Sequence, residues 1–146
     1  MCGLVAIFNY GRSISFVAQE ELVAICEAIA GRGPDGEGRW ISVDSRVGLG
    51  HRRLSLLDLS EAGAQPMTNE DGSLRIVFNG EIYNDRELRQ SFENSGFRFR
   101  SKSNTEVLLH LYAQRDAEMV HALRGIYAFA IWDATQARSL PPQNDR

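Results

Sequence analysis

Cys2 stands almost at the start of the chain, in "MCGLVAIFNY". An initiator methionine is generally removed when a small residue follows it. Cys2 would then carry both a thiol and a free α-amine. The amine's reference pKa is about 7.7–8.0 and the thiol's about 8.5, so the amine can serve as base for its own nucleophile near neutral pH. No separate histidine is needed. Taken alone, "MC" is more simply a cysteine that starts a buried strand. A second stretch, "FNGEIYN", holds Asn79 and Gly80. Asn-Gly is the strongest short hairpin signal, yet only "EIY" separates it from a helix start at Asn84, too little for a returning strand. The other reading aims the Asn79 amide and a backbone N–H into a site, as in an oxyanion hole; the pattern leaves both open. In "GHRRLSLLD", Arg52 and Arg53 alternate along a strand, so one of them can face inward. A guanidinium clamps a carboxylate with two bonds as lysine cannot; solvation at the surface is the alternative. His51 beside them is, as a lone histidine, more often structural. The three histidines and Cys26 show no metal-ligand spacing, so no metal site is expected.

These residues need a scaffold. With 146 residues, 43% hydrophobic and 24% charged, the chain fits one domain able to bury a sizeable core. The net charge of -3 arises from scattered residues, without the basic stripe of a nucleic-acid binder or an acidic tail. No segment approaches the roughly 18–20 apolar residues of a membrane span, and no basic segment precedes the first apolar run. Cys26, on the apolar face of "ELVAICEAI", reads as a small buried residue and suits a reducing compartment. The expectation is a cytoplasmic protein.

Strands are expected at "CGLVAIF", "RWISV", "RVGLGHRRLSLL", "LRIVFNG" and "GIYAFAIWDA", with the second and third joined around Asp44 and Ser45 and a turn at Asp71-Gly72. Helices are expected at "FVAQEELVAICEAIA", "NDRELRQSFENSG" and "SNTEVLLHLYAQRD", the last two with capping boxes, Asn84 with Glu87 and Ser103 with Glu106. Strands apolar on both faces must be covered on both sides. The simplest answer is a layered domain, sheets inside and helices outside. "TQARSLPPQNDR" reads as an unstructured tail, because Pro141-Pro142 removes backbone donors.

Seven segments in order, "MCG", "RGPDG", "GHRRLSLLD", "GAQPM", "FNGEIYN", "TEVLLHLY" and "GIYAFAIWD", resemble the glutaminase domain of class II glutamine amidotransferases, in the asparagine synthetase branch. The resemblance covers residues 1–134, leaving 135–146 as a divergent tail. It implies an α+β fold of the N-terminal nucleophile hydrolase type, a four-layer αββα sandwich of antiparallel sheets, incomplete at the C-terminus. It implies that Cys2 attacks the side-chain amide of glutamine, giving glutamate and ammonia through a thioester. Asn79 and Gly80 would hold the oxyanion, and Arg53 the substrate α-carboxylate. Leu54, Ser55, Leu56 and Leu57 would line the pocket, with Glu81 at the α-ammonium. No cofactor is implied for this chain. ATP and magnesium belong to the family's synthetase domain, which amidates aspartate and is absent here, so the partner the resemblance implies is a separate synthetase chain or domain. The alternative is an inactive remnant or glutamine-binding module of the same fold.

Three features depart from the family pattern. Asn104 stands where the family has an aspartate that binds the substrate ammonium; it can accept a hydrogen bond but brings no charge, so weaker glutamine binding is expected. Gly31 stands where a histidine commonly precedes "RGPD". After "FAIWDA" the family continues through a segment like "RDRxGxKPLYY", whereas this sequence runs into "RSLPPQNDR", which reads as a truncated or frameshifted copy.

Overall fold

The computed structural model describes residues 2–9, 15–54 and 63–139. β1 (Gly3–Phe8), β2 (Gly36–Ile41) and β3 (Val47–Arg53) form an antiparallel sheet in the order β1-β3-β2. The expected turn between β2 and β3 is built by side chains. Asp44 accepts from the Ser42 hydroxyl at 2.6 Å and the Arg46 N–H at 3.2 Å, while the Val47 N–H donates to Ser42 Oγ at 3.0 Å. That lets Ser45 take a positive φ of 55°. The Ser42 bond is also the chief reason the Asp44 carboxyl sits below its ordinary pKa.

A second antiparallel sheet holds β4 (Met67–Thr68), β5 (Leu74–Ile82) and β6 (Gly125–Asp133) in the order β4-β5-β6. Two points differ from the sequence expectation. β4, only two residues long, lies where the sequence pattern marks no strand. β5 does not end at Asn-Gly but runs on to Ile82, because β6 pairs with it along its whole length. Asn79-Gly80 is thus strand interior, not a hairpin.

α1 (Gln19–Ala28) packs against the first sheet, its buried Leu22 and Cys26 covering Gly48 and Gly50 of β3. α3 (Asn104–Arg115) packs against β5, burying Val107, Leu108 and Leu111 with Ile76, Phe78 and Met119. Each such Leu contributes about 1.5–3 kcal/mol relative to exposure. α2 (Asp85–Asn94) lies against α3. β5 contacts both β1 and β3. Contacts therefore run from α1 through the first sheet to the second and on to α3, in a mixed α+β chain.

Helix ends correct the sequence reading. Ser103 does cap α3, accepting from the Thr105 N–H at 3.2 Å. Glu106 does not complete a box with it. Buried at 3% exposure, its carboxylate takes the N–H groups of Arg100 (2.8 Å) and Ser101 (2.7 Å) and the Ser101 hydroxyl (2.7 Å). Asn84 occupies the N-cap position of α2 without capping it. Its amide instead donates to the Ala122 carbonyl at 2.8 Å and accepts from the Arg124 N–H at 2.9 Å. That ties α2 to the end of a 3-10 helix over Asp116–Ala122. The stretch read as tail begins with a short helix, α4 (Ala134–Ser139); residues 140–146 lie outside the described residues. Among the described residues, no helix is long and apolar enough to cross a membrane, and no group of His, Cys, Asp or Glu could hold a metal ion.

Candidate active site

Alternation along β3 sorts the two arginines. Arg52 lies on the α1 side, its Nε donating to the Cys26 carbonyl at 2.9 Å and its guanidinium pairing with Glu37. Arg53, one residue on, takes the opposite face with Leu49 and His51. The β1–β3 register sets Gly3 opposite Arg52 and Leu4 opposite His51, so the residue before Gly3, Cys2, falls on the Arg53 face. The half-buried Cys2 thiol is anchored to the main chain just beyond β3. The Leu54 N–H donates to Sγ at 3.3 Å, and Sγ lies 3.8 Å from the Leu54 carbonyl. The Cys2 carbonyl accepts from Arg32 Nε at 3.4 Å.

The face bearing Cys2 and Arg53 is turned toward the second sheet. Trp40 of β2, paired with Leu49, lies 4.8 Å from the Trp132 ring, with the Arg75 guanidinium 4.9 Å over it. Arg75, Val77, Asn79 and Glu81 share one side of β5, so Asn79 faces the first sheet. Two contacts align the sheets lengthwise: Arg75 meets the level of Leu49, and the His51 imidazole lies against the Phe78 main chain. Continuing in that direction, Arg53 and Cys2 advance toward Asn79 and Gly80.

The backbone of β5 alternates as well. In an antiparallel ladder successive residues direct N–H and C=O to opposite neighbours. Tyr83 donates to Arg124 on the β6 side at 2.7 Å, whereas the Phe78 N–H donates to Gln65 Oε1 at 2.6 Å on the β4 side. Gly80 has the parity of Phe78, so its N–H points to the β4 edge, beyond the last residue that β4 covers. Gly80 has φ 142°, and a Cβ there would lie 2.3 Å from the Ile126 carbonyl oxygen. Only glycine fits.

His51 is 3% exposed, and burial, aided by the nearby Arg53 charge, lowers its pKa to about 4 against the opposing bond to Phe78. It is therefore neutral near pH 7. Its Nε2 has no partner among the described residues. Glu81 is exposed toward the end of β5. Asn104 opens α3, and with its amide nitrogen turned to Asp85 it donates to the two carboxylate oxygens at 3.1 and 3.2 Å. Burial raises the Asp85 pKa, opposed by Arg89 and Arg86. A side chain at Gly31 would meet nothing within 4 Å, so steric exclusion does not account for that glycine.

Cys2, Arg53 and Leu54, at the start of β1 and the end of β3, thus lie on the face of the first sheet that is turned to the side of β5 carrying Asn79. Ser55, Leu56 and Leu57 lie outside the described residues. Two clefts of about 310 and 720 Å³ lie elsewhere, one between β4 and Glu106, the other around Tyr112, Asp116 and Asp133. Sequence reasoning gave no role to Gln65 or Asp85. Gln65 lies in "GAQPM", but nothing in its spacing reveals that it bonds to β5.

The chain matches the family described as "Glutamine amidotransferase domain" over residues 1–141. It is 45% identical over 134 residues to "Asparagine synthetase [glutamine-hydrolyzing] 1" of Bacillus subtilis (strain 168), covering 91% of this chain and 21% of that protein. It is 39% identical over 141 residues to "Amidase chry2" of Gibberella zeae, again covering 91% of this chain and 21% of the relative. The chain therefore spans about a fifth of the length of these relatives. Among solved structures, glutamine phosphoribosylpyrophosphate amidotransferase from B. subtilis superposes with a TM-score of 0.70 at 22% identity, over 90% of this chain and 35% of that one.

Proposed function

The chain belongs to the glutamine amidotransferase domain family, and from that premise we propose that it hydrolyses glutamine to glutamate and ammonia at Cys2. Removal of Met1 frees the α-amine, which takes the thiol proton. The sulfur attacks the side-chain amide carbon, and negative charge develops on the amide oxygen. The Asn79 amide and the Gly80 N–H donate to that oxyanion. Proton return to nitrogen expels ammonia and leaves a thioester, which water opens to glutamate, restoring the thiol. Arg53 clamps the α-carboxylate with two bonds, with Leu54 to Leu57 lining the pocket. Glu81 and Asn104 receive the α-ammonium.

One observation carries this reading. Cys2 and Arg53 share the face of the first sheet that is turned to Asn79, on the side where the Gly80 N–H is directed away from β6. The layer order and the likeness to the phosphoribosylpyrophosphate amidotransferase support the four-layer N-terminal nucleophile hydrolase fold, with 1–134 as the glutaminase domain. In this proposal the ammonia serves ATP-dependent amidation of aspartate, performed with ATP and magnesium by a synthetase domain or chain outside these residues. The Asn104–Asp85 pair favours a second reading, a glutamine-binding module without turnover, because Asn104 supplies no charge of its own.

Intact-mass measurement and a glutamate-release assay test the proposal. Loss of Met1 with release that disappears in Cys2→Ala is the expected result. Retained Met1, or equal release from both proteins, sinks it.

A further inference from the structure

The second sheet has a gap beside its chemistry. β4 pairs only Met67 and Thr68, with Ile76 and Arg75. The next rung would set the Gln65 main chain against Phe78, and β4 does not reach it. Among the described residues, no strand pairs with the β4-side edge of β5 from Phe78 onward. At Phe78 two side chains fill the place of backbone. Gln65 Oε1 accepts the Phe78 N–H at 2.6 Å, and the His51 imidazole lies against the Phe78 main chain from the first sheet. Gln65 is itself held twice. Its Nε2 donates to Thr105 Oγ1 at 3.2 Å, on a residue 1% exposed, and its main-chain carbonyl oxygen lies against Gly38, where a Cβ would sit only 1.8 Å away. The next group on the same edge is the Gly80 N–H.

We propose that Gln65 is a positioning residue for the oxyanion cradle: its side-chain amide replaces a missing strand at Phe78 and so fixes the direction of the Asn79-Gly80 peptide. This rests on the proposed glutaminase activity and adds to it a residue that does not touch substrate. A displaced oxyanion donor acts on the transition state more than on bound glutamine. Loss of Gln65 should therefore lower kcat and leave KM nearly unchanged.

The test uses the full chain with Gln65→Met, which keeps the volume and removes both bonds, and Gln65→Glu, which keeps the acceptor for Phe78. In Gln65→Met, kcat for glutamate release should fall by about tenfold or more while KM stays within about twofold. Gln65→Glu should recover most of the kcat. Amide hydrogen exchange at Phe78 should quicken in Gln65→Met alone. An unchanged kcat in Gln65→Met overturns the proposal while the activity stands, as does a KM that rises in step with the loss of kcat. Wild-type release no greater than that of Cys2→Ala overturns the activity and this inference together, and the Phe78 exchange data then report only the fold.

Discussion

Asn79 and His51 show how differently two residues of one interface can be read. Asn79 is half-buried on the side of β5 that also carries Arg75 and Glu81, so its amide can be removed without opening a core cavity. Asn79→Ala should lower kcat by a factor that corresponds to about 2.7–4 kcal/mol of transition-state stabilisation and leave the thermal midpoint almost unmoved. Steady-state glutamate release with a melting curve checks both. His51 is a stability residue with a pH signature. Its folded pKa of about 4 lies below the ordinary 6.5. Above pH 6.5 it is neutral in both states. Below, the unfolded chain binds a proton that the folded one refuses, so stability falls between pH 6.5 and 4 and levels off under 4. The loss is about 3 kcal/mol at most. Urea unfolding across that range should show the slope in the wild type and lose this share of it in His51→Asn. The Arg52 and Arg53 pair was legible as an alternation, but which one faces the site depends on the β1–β3 register, which no residue of that segment encodes by itself.

At the level of elements, long periodic segments were legible and short ones were not. The apolar spacing of α1, α3, β1 and β6 marks them plainly. β4 has two residues and owes its existence to β5, and the strand character of Asn79-Gly80 comes from their partners Ala128 and Tyr127 far downstream in β6. The capping boxes failed for a related reason: a Glu or Asn side chain goes to the donors that tertiary structure brings. Glu106 serves the loop before α3. Burial alone would raise its pKa, yet bonds from Arg100 and Ser101 hold it below the ordinary value. Glu106→Leu leaves three donors without an acceptor and should cost several kcal/mol at about 1–3 kcal/mol for each group that stays buried. Denaturant unfolding should show this as a lower midpoint, with Glu106→Gln recovering part of it.

Across the whole molecule, the two sheets are fastened by the Trp40–Trp132–Arg75 contact at one end and left to form the site at the other. Sequence pattern announces layers but not this lengthwise alignment, because it arises from side chains in different segments. The same sheet order leaves β6 outermost. Among the described residues nothing pairs with its outer edge, and Ile126 is 74% exposed there. Edge strands of this length with a charge only at one end invite pairing with other chains. Sedimentation should show association that grows with concentration and is reduced in Ile126→Lys, a gatekeeping charge. Identical sedimentation of the two proteins would show that the edge is not used.

The brevity of β4 has one more consequence. Were it four residue pairs longer, the sheet would zip shut past Phe78 and the Gly80 amide would be spent on an ordinary rung. Insertions or substitutions that lengthen this strand should thus yield a sturdier protein with a silenced site. The chemistry proposed here lives on a rung the ladder never completes.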